Sequence, residues 1–204
     1  LRNLFDGIPV DEVNKALQLC TRSLIEKEPN YSYAAARLLL SEIYLEALRF
    51  LDLRGDTVTC SEMETLYASY FTHYIEKGIE LELLEPKLKT FDLARLAKTL
   101  DTSRDLQFTY LGLQTLYDRY FIHSDGRRFE LPQAFFMRVA MGLAIEEDDK
   151  NARAIEFYYL LSSFDYMSST PTLFNSGTLR PQLSSCYLTT VPDDLDGIYG
   201  ALKD

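Results

Sequence analysis

The chain has 204 residues, is 47% hydrophobic and carries a formal net charge of −10. That apolar share suffices for a packed core, and the length allows one large or two small domains. The acidic balance, without a run of Lys or Arg, excludes a nonspecific nucleic-acid surface, and no apolar stretch reaches membrane-spanning length.

Taken in order, Phe5-Asp6-Gly7 reads as a turn. Pro9 and Asp11 open a helix whose apolar face is Val13, Leu17, Cys20, Leu24 and Ile25, and which stops near Pro29. On that face Cys20 is expected to be a buried structural thiol. Tyr31 to Leu51 reads as a strong helix, with Ala34, Leu38, Ile43, Ala47 and Phe50 recurring near helical spacing. A loop from Leu53 to Thr59 follows. Ser61-Glu62-Met63-Glu64 has the form of a capping box. The helix behind it is expected to bury Leu66, Tyr70, Phe71 and Tyr74 and to end at Gly78. Those aromatics read as a core stripe rather than a cofactor box, and His73 as solvated.

Phe91 to Leu100 reads as a short helix, Asp101 to Phe108 as a charged connection and Leu111 to Tyr117 as an apolar run. Tyr120-Phe121-Ile122-His123 and Arg127-Arg128-Phe129-Glu130, joined at Ser124-Asp125-Gly126, read as a β-hairpin with Asp125-Gly126 as its turn. Arg127-Arg128 could bind phosphate, but a charge-protected edge is the better reading. Pro132 opens a helix rich in Phe135, Phe136, Val139, Ala140, Leu143 and Ala144. Glu146 to Asp149 is a solvated acidic loop, and Ala152 to Met167 another apolar helix.

From Ser168 to Leu188 the character changes to Pro, Gly and hydroxyl residues around one cysteine. Thr170-Pro171 predicts extended backbone, Asn175-Ser176-Gly177 a turn, and Ser184 to Thr190 a β-strand. A thiol between hydroxyls at a strand start suggests a polar pocket. By its residues alone Cys186 could be a nucleophile, a metal ligand, a redox group or an inert packing thiol. Asp193 or Asp194 can N-cap a following helix, and Asp196 favours its positive end. Cys20, Cys60 and Cys186 do not form an even, closely spaced set, which suits a reducing compartment. His73 and His123 lack partners at ligand spacing, so no metal site is expected, and no Gly-rich phosphate loop is present. No signal peptide is visible, and the chain does not begin with Met, so an earlier N-terminus is expected.

Thr170-Pro171-Thr172-Leu173-Phe174-Asn175-Ser176-Gly177, then Arg180-Pro181-Gln182-Leu183-Ser184-Ser185-Cys186, resembles the barrel entrance of ribonucleotide reductase large subunits. A weaker resemblance runs upstream through Phe5-Asp6-Gly7-Ile8 and Glu28 to Leu38. The resemblance implies a mainly α fold. Residues 1–45 would be the C-terminal half of an ATP-cone-like helical domain, and 46–167 an all-α domain with one β-hairpin. Residues 168–204 would start a catalytic α/β barrel, cut short at Asp204. Val10 stands where many active cones carry threonine, so no cone site is assigned.

The same resemblance implies that Cys186 is one half of a redox-active pair, with Thr170 and Ser185 beside it at a ribonucleoside diphosphate. It implies that Asp194, Leu195 and Asp196 touch an allosteric deoxynucleotide at a homodimer interface. No cofactor would bind this segment directly; ATP and dNTP would act as effectors. The radical would come from a metal-containing small subunit, and a thioredoxin- or glutaredoxin-type dithiol would restore the pair. The radical cysteine, the second reducing cysteine and the site's asparagine and glutamate would lie downstream, so this segment alone would be inactive. Class I, aerobic and cytoplasmic are the expectations. The rival reading is a helical regulatory or interaction module without chemistry.

Overall fold

The computed structural model describes residues 6–56 and 58–203. Nine α-helices and one hairpin are present among them. They are α1 (Val10–Ser23), α2 (Tyr31–Phe50), α3 (Cys60–Glu80), α4 (Leu93–Thr99), α5 (Tyr110–Arg119), β1 (His123–Ser124), β2 (Arg127–Arg128), α6 (Pro132–Ala144), α7 (Lys150–Ser162), α8 (Thr170–Asn175) and α9 (Leu195–Lys203). Short 3-10 helices fill Pro86–Thr90 and Thr102–Gln107. The mainly helical expectation holds. None of the described helices is long and apolar enough to cross a membrane.

The centre is α6. Every residue from Pro132 to Met141 is buried, as suits a helix apolar nearly all round. Pro132 occupies its first turn, where an amide would have no intrahelical partner. Helix α7 packs along α6, α2 packs on α1 and α5, and α4 packs on α3. The hairpin forms where Asp125-Gly126 was expected to turn. Ser124 pairs with Arg127 across a two-residue loop whose φ angles are +50° and +77°. Both angles being positive is the type I′ signature. Both arginines next to it lie over aromatic rings. Arg128 donates from Nε to Tyr117 O at 3.0 Å and lies over the Tyr117 ring, while Arg127 lies over Phe50.

Several expectations shift. The capping box is at Thr59–Glu62, not Ser61–Glu64: Glu62 N donates to Thr59 Oγ1, and Thr59 N donates to Glu62 Oε2 at 2.9 Å. Thr59 has the extended backbone an N-cap needs, whereas Ser61 is already helical. Gly78 does not end α3. It lies inside the helix, where a Cβ would overlap the Leu84 side chain that folds back on it. On α2 the buried stripe is Ala36, Leu40, Ile43, Tyr44, Ala47 and Leu48; Ala34 and Leu38 are only half-buried. Cys20 is exposed, not buried, because α1 packs mainly on α2 and leaves Leu17 exposed as well. Asp6-Gly7 is a turn, and the Phe5 part of that expectation, like the Val10 side chain, lies outside the described residues.

The charged connection at Asp101 to Phe108 hides a buried carboxylate. Asp105 accepts from Tyr44 OH at 2.6 Å and Tyr67 OH at 3.1 Å on one oxygen, and from Gln133 Nε2 at 2.7 Å on the other. Burial pushes Asp105 up to about 6, against the lowering pull of those three hydrogen bonds. Its folded pKa lies above its ordinary value of 3.8. Between those two values the folded chain therefore binds the extra proton, so this group's stabilising contribution is complete below about 4 and is lost as pH rises through about 6. Asp105→Asn keeps the shape without titrating. Urea unfolding of both proteins at a series of pH values should show the wild type losing ~3 kcal/mol relative to the variant between pH 4 and pH 7. A pH-independent difference would rule out this proton linkage.

Candidate functional site

The residues singled out from Thr170 onward lie on the α8 segment and the chain after it. Thr170 and Pro171 are not extended: they form the first turn of α8, and Ser169 (φ −63°, ψ 155°) carries the extended backbone instead. Proline fits a first turn because its missing amide costs no hydrogen bond there. Asn175-Ser176-Gly177 is a turn as expected, with Gly177 at φ +75°. Ser184 to Thr190 takes no strand. A strand is held by ladder hydrogen bonds from a neighbour, and no described segment pairs with this one.

Two side chains of α8 tie that downstream segment back. Thr172 Oγ1 donates to Leu183 O at 3.2 Å, and Asn175 Nδ2 donates to Gln182 O at 2.8 Å. The chain then runs into Ser185 and Cys186, both exposed, with Ser185 Oγ 3.8 Å from Cys186 Sγ. Thr170 is exposed too, but its hydroxyl lies 3.3 Å from Tyr120 OH rather than against Ser185 or Cys186. The structure thus joins Ser185 to Cys186 and places Thr170 at the other end of the same tied unit.

Asp194 caps α9. Its Oδ1 accepts from Gly197 N at 2.7 Å, and its carbonyl accepts from Ile198 N at 3.0 Å. Leu195 and Asp196 are exposed, and α9 buries none of its residues. Tyr187, Leu188, Val191, Tyr199 and Leu202 are likewise exposed. Among the described residues no cluster of His, Cys, Asp and Glu could hold a metal ion.

Under α8 lies a group that periodicity does not point to. Glu130 and Arg138 are both fully buried and ion-paired, Arg138 Nε to Glu130 Oε1 at 2.7 Å. Arg138 also donates to Ser176 O at 2.6 Å and Leu173 O at 3.2 Å, while Tyr74 OH donates to Glu130. Burial, then the Glu130 charge, holds the Tyr74 hydroxyl well above its ordinary pKa. The available signal was a lone arginine inside Phe135-Phe136-Met137-Arg138-Val139, since a charge in a core run must be paired.

Residues 106–181 match the family model for the ribonucleotide reductase all-alpha domain. Across 99% of its length the chain is 53% identical to the ribonucleoside-diphosphate reductase subunit alpha of Chlamydia muridarum, spanning 19% of that protein. It is 38% identical over 98% of its length to the alpha subunit of Helicobacter pylori, and 33% identical over its whole length to the large subunit of Danio rerio. In both cases it spans 24% of the relative. The chain therefore covers about a fifth to a quarter of the length of the curated reductase subunits it matches.

The three thiols differ in exposure. Cys20 and Cys186 are exposed, whereas burial and then the Asp105 charge push the half-buried Cys60 thiol up. Iodoacetamide followed by peptide mass spectrometry should therefore label Cys186 about tenfold or more faster than Cys60 near neutral pH, since the thiolate is the reactive form. Equal rates at the two positions would contradict this description of the segment.

Proposed function

We propose that the chain is part of the large subunit of a class I ribonucleotide reductase, contributing one redox cysteine and part of the substrate site. Its similarity to reductase large subunits over nearly its whole length carries this reading. An exposed Cys186 beside the Ser185 hydroxyl, on a segment tied to α8, agrees with it. Residues 168–204 then enter the catalytic barrel. Residues 1–45 are the second half of an ATP-cone-like domain.

In this proposal a thiyl radical on a downstream cysteine abstracts the ribose 3′ hydrogen of a ribonucleoside diphosphate. The 2′ hydroxyl leaves as water. Cys186 and a second downstream thiol give up two electrons and close to a disulfide, and the radical cysteine returns the hydrogen atom to C3′, which regenerates its thiyl radical. Hydroxyls such as those of Thr170 and Ser185 can donate to ribose or phosphate oxygens and need no adjacent cation. A dithiol protein of the thioredoxin or glutaredoxin type reopens the disulfide by exchange, which requires an accessible sulfur. The radical originates in a metal-containing small subunit, and the enzyme works in the cytoplasm as a homodimer. Asp194, Leu195 and Asp196 contact a deoxynucleotide effector, and the unpartnered α9 faces its symmetry mate.

The deciding experiment uses the full-length subunit with its radical partner and a dithiol reductant. Cys186→Ser should bind the ribonucleoside diphosphate normally while deoxynucleotide formation falls about a thousandfold or more, since the electron source is gone but the shape is kept. In the same assay Asp194→Ala should keep turnover and lose its response to deoxynucleotides. Wild-type turnover by Cys186→Ser would remove the chemical basis of the proposal and favour a module without chemistry.

A further inference from the structure

We propose that Arg138 and Tyr120 are positioning residues for the substrate: they hold α8 so that Thr170, and the chain leading to Ser185 and Cys186, meet a nucleoside diphosphate in one fixed arrangement. The inference rests on the reading of those three residues as substrate and redox groups.

Helix α8 has six residues, too few to hold a helical conformation by itself. Its shape must come from what it touches. The carbonyls at a helix end have no intrahelical partner. Here Arg138 takes those of Leu173 at 3.2 Å, Phe174 at 3.4 Å and Ser176 at 2.6 Å. A buried guanidinium reaching three carbonyls fixes where α8 stops, and the Glu130 carboxylate fixes the guanidinium in turn. The turn after α8 lies directly on α6. Ser176 Oγ donates to Val139 O at 2.8 Å, and a Cβ on Gly142 would overlap the Gly177 backbone nitrogen. A Cβ on Gly177 would lie 2.7 Å from Arg138 O.

The flank of α8 is set by Tyr120. Its ring stacks on Phe174 with centroids 4.4 Å apart and planes 10° apart, and its hydroxyl lies 3.3 Å from Thr170 Oγ1. Leu173 is buried while Thr170 is exposed. One side of α8 is therefore anchored in the core and the other presents the hydroxyl. Both ends of the presentation are determined by side chains outside the segment: Arg138 from α6, and Tyr120 from the end of α5.

A merely structural role and a positioning role move different constants. Lost stability lowers the active fraction, and so kcat, with KM unchanged. Lost positioning of a substrate-contacting group raises KM. Steady-state reduction of cytidine diphosphate is to be measured with the full-length subunit, its radical partner and a dithiol reductant. Tyr120→Phe keeps the stacking and removes only the hydroxyl. Its KM should rise about three- to tenfold, the range of one hydrogen bond, with kcat within about twofold. Glu130→Gln combined with Arg138→Met removes both charges together and avoids an unpaired buried ion. In that variant kcat/KM should fall about tenfold or more, with a raised KM. If the paired variant does not fold, Tyr120→Phe decides alone. KM values at wild-type level in the folded variants, beside an active wild type, would overturn the positioning roles. A wild type that makes no deoxycytidine diphosphate would overturn the functional reading, and this inference with it.

Discussion

The buried Glu130–Arg138 pair is the contact on which the arrangement of α3, α6, α8 and the approach to the hairpin depends. Two charges taken out of water carry a desolvation cost that is offset only when each is fully hydrogen-bonded. Here each carboxylate oxygen has two donors. Oε1 takes Arg138 Nε and Tyr74 OH, while Oε2 takes Arg138 Nη2 and the Ile122 amide. Those partners come from α3, from the approach to the hairpin and from α6. The remaining guanidinium hydrogens reach the end of α8. Any shift of one of these elements leaves a buried charge unsatisfied, so the four are held in one arrangement.

A row of tyrosines extends this constraint along α3. Tyr67, Tyr70 and Tyr74 fall on one face, as residues three and four apart on a helix do. Their hydroxyls bond successively along residues 129–133, the stretch that feeds α6. Tyr70 donates to Phe129 O at 2.7 Å and accepts from Leu131 N at 2.9 Å. Tyr67 accepts from Gln133 N at 3.1 Å and donates to Asp105. Gln133 links the same network to α7 by accepting from Tyr158 OH at 2.7 Å. The backbone of an irregular segment inside the core is thus satisfied by phenols rather than by a sheet. The apolar rings contribute burial, and their hydroxyls meet the polar demand.

How much of this was legible depended on how local the cause was. Helical periodicity located α2, α3, α6 and α7, and Asp125-Gly126 located the hairpin, because both signals are carried by neighbouring residues. The capping box was misplaced by two residues because Thr59-Cys60-Ser61-Glu62 offers overlapping candidates, and only the backbone of Thr59 decides between them. Cys20 looked buried because its periodicity marks a face but not whether anything covers it. Thr170-Pro171 has one sequence and two compatible geometries, extended or a helix start, and the Arg138 contacts favour the second. Asp105 and Arg138 resisted sequence reading for the same reason. Their partners lie 28 to 61 and 8 to 38 positions away along the chain. Of the candidate site, the Asp194 cap and the turn at Gly177 were legible. The hydrogen bonds from Thr172 and Asn175 that tie the Cys186 segment to α8 were not.

The account connects a rigid helical platform to an exposed thiol. Arg138 and the glycine contacts fix α8, and α8 ties down residues 182–183, which lead into Ser185 and Cys186. The central chemical claim is that Cys186 supplies electrons to a ribonucleotide. The most direct measurement follows that sulfur through one turnover. The full-length subunit, reduced, freed of external dithiol and combined with its radical partner, is given a ribonucleoside diphosphate, and its cysteine peptides are mapped by mass spectrometry. The account predicts that Cys186 is recovered in a disulfide with a cysteine beyond residue 204, in proportion to the deoxynucleotide formed. Deoxynucleotide formed while Cys186 stays a free thiol would contradict it.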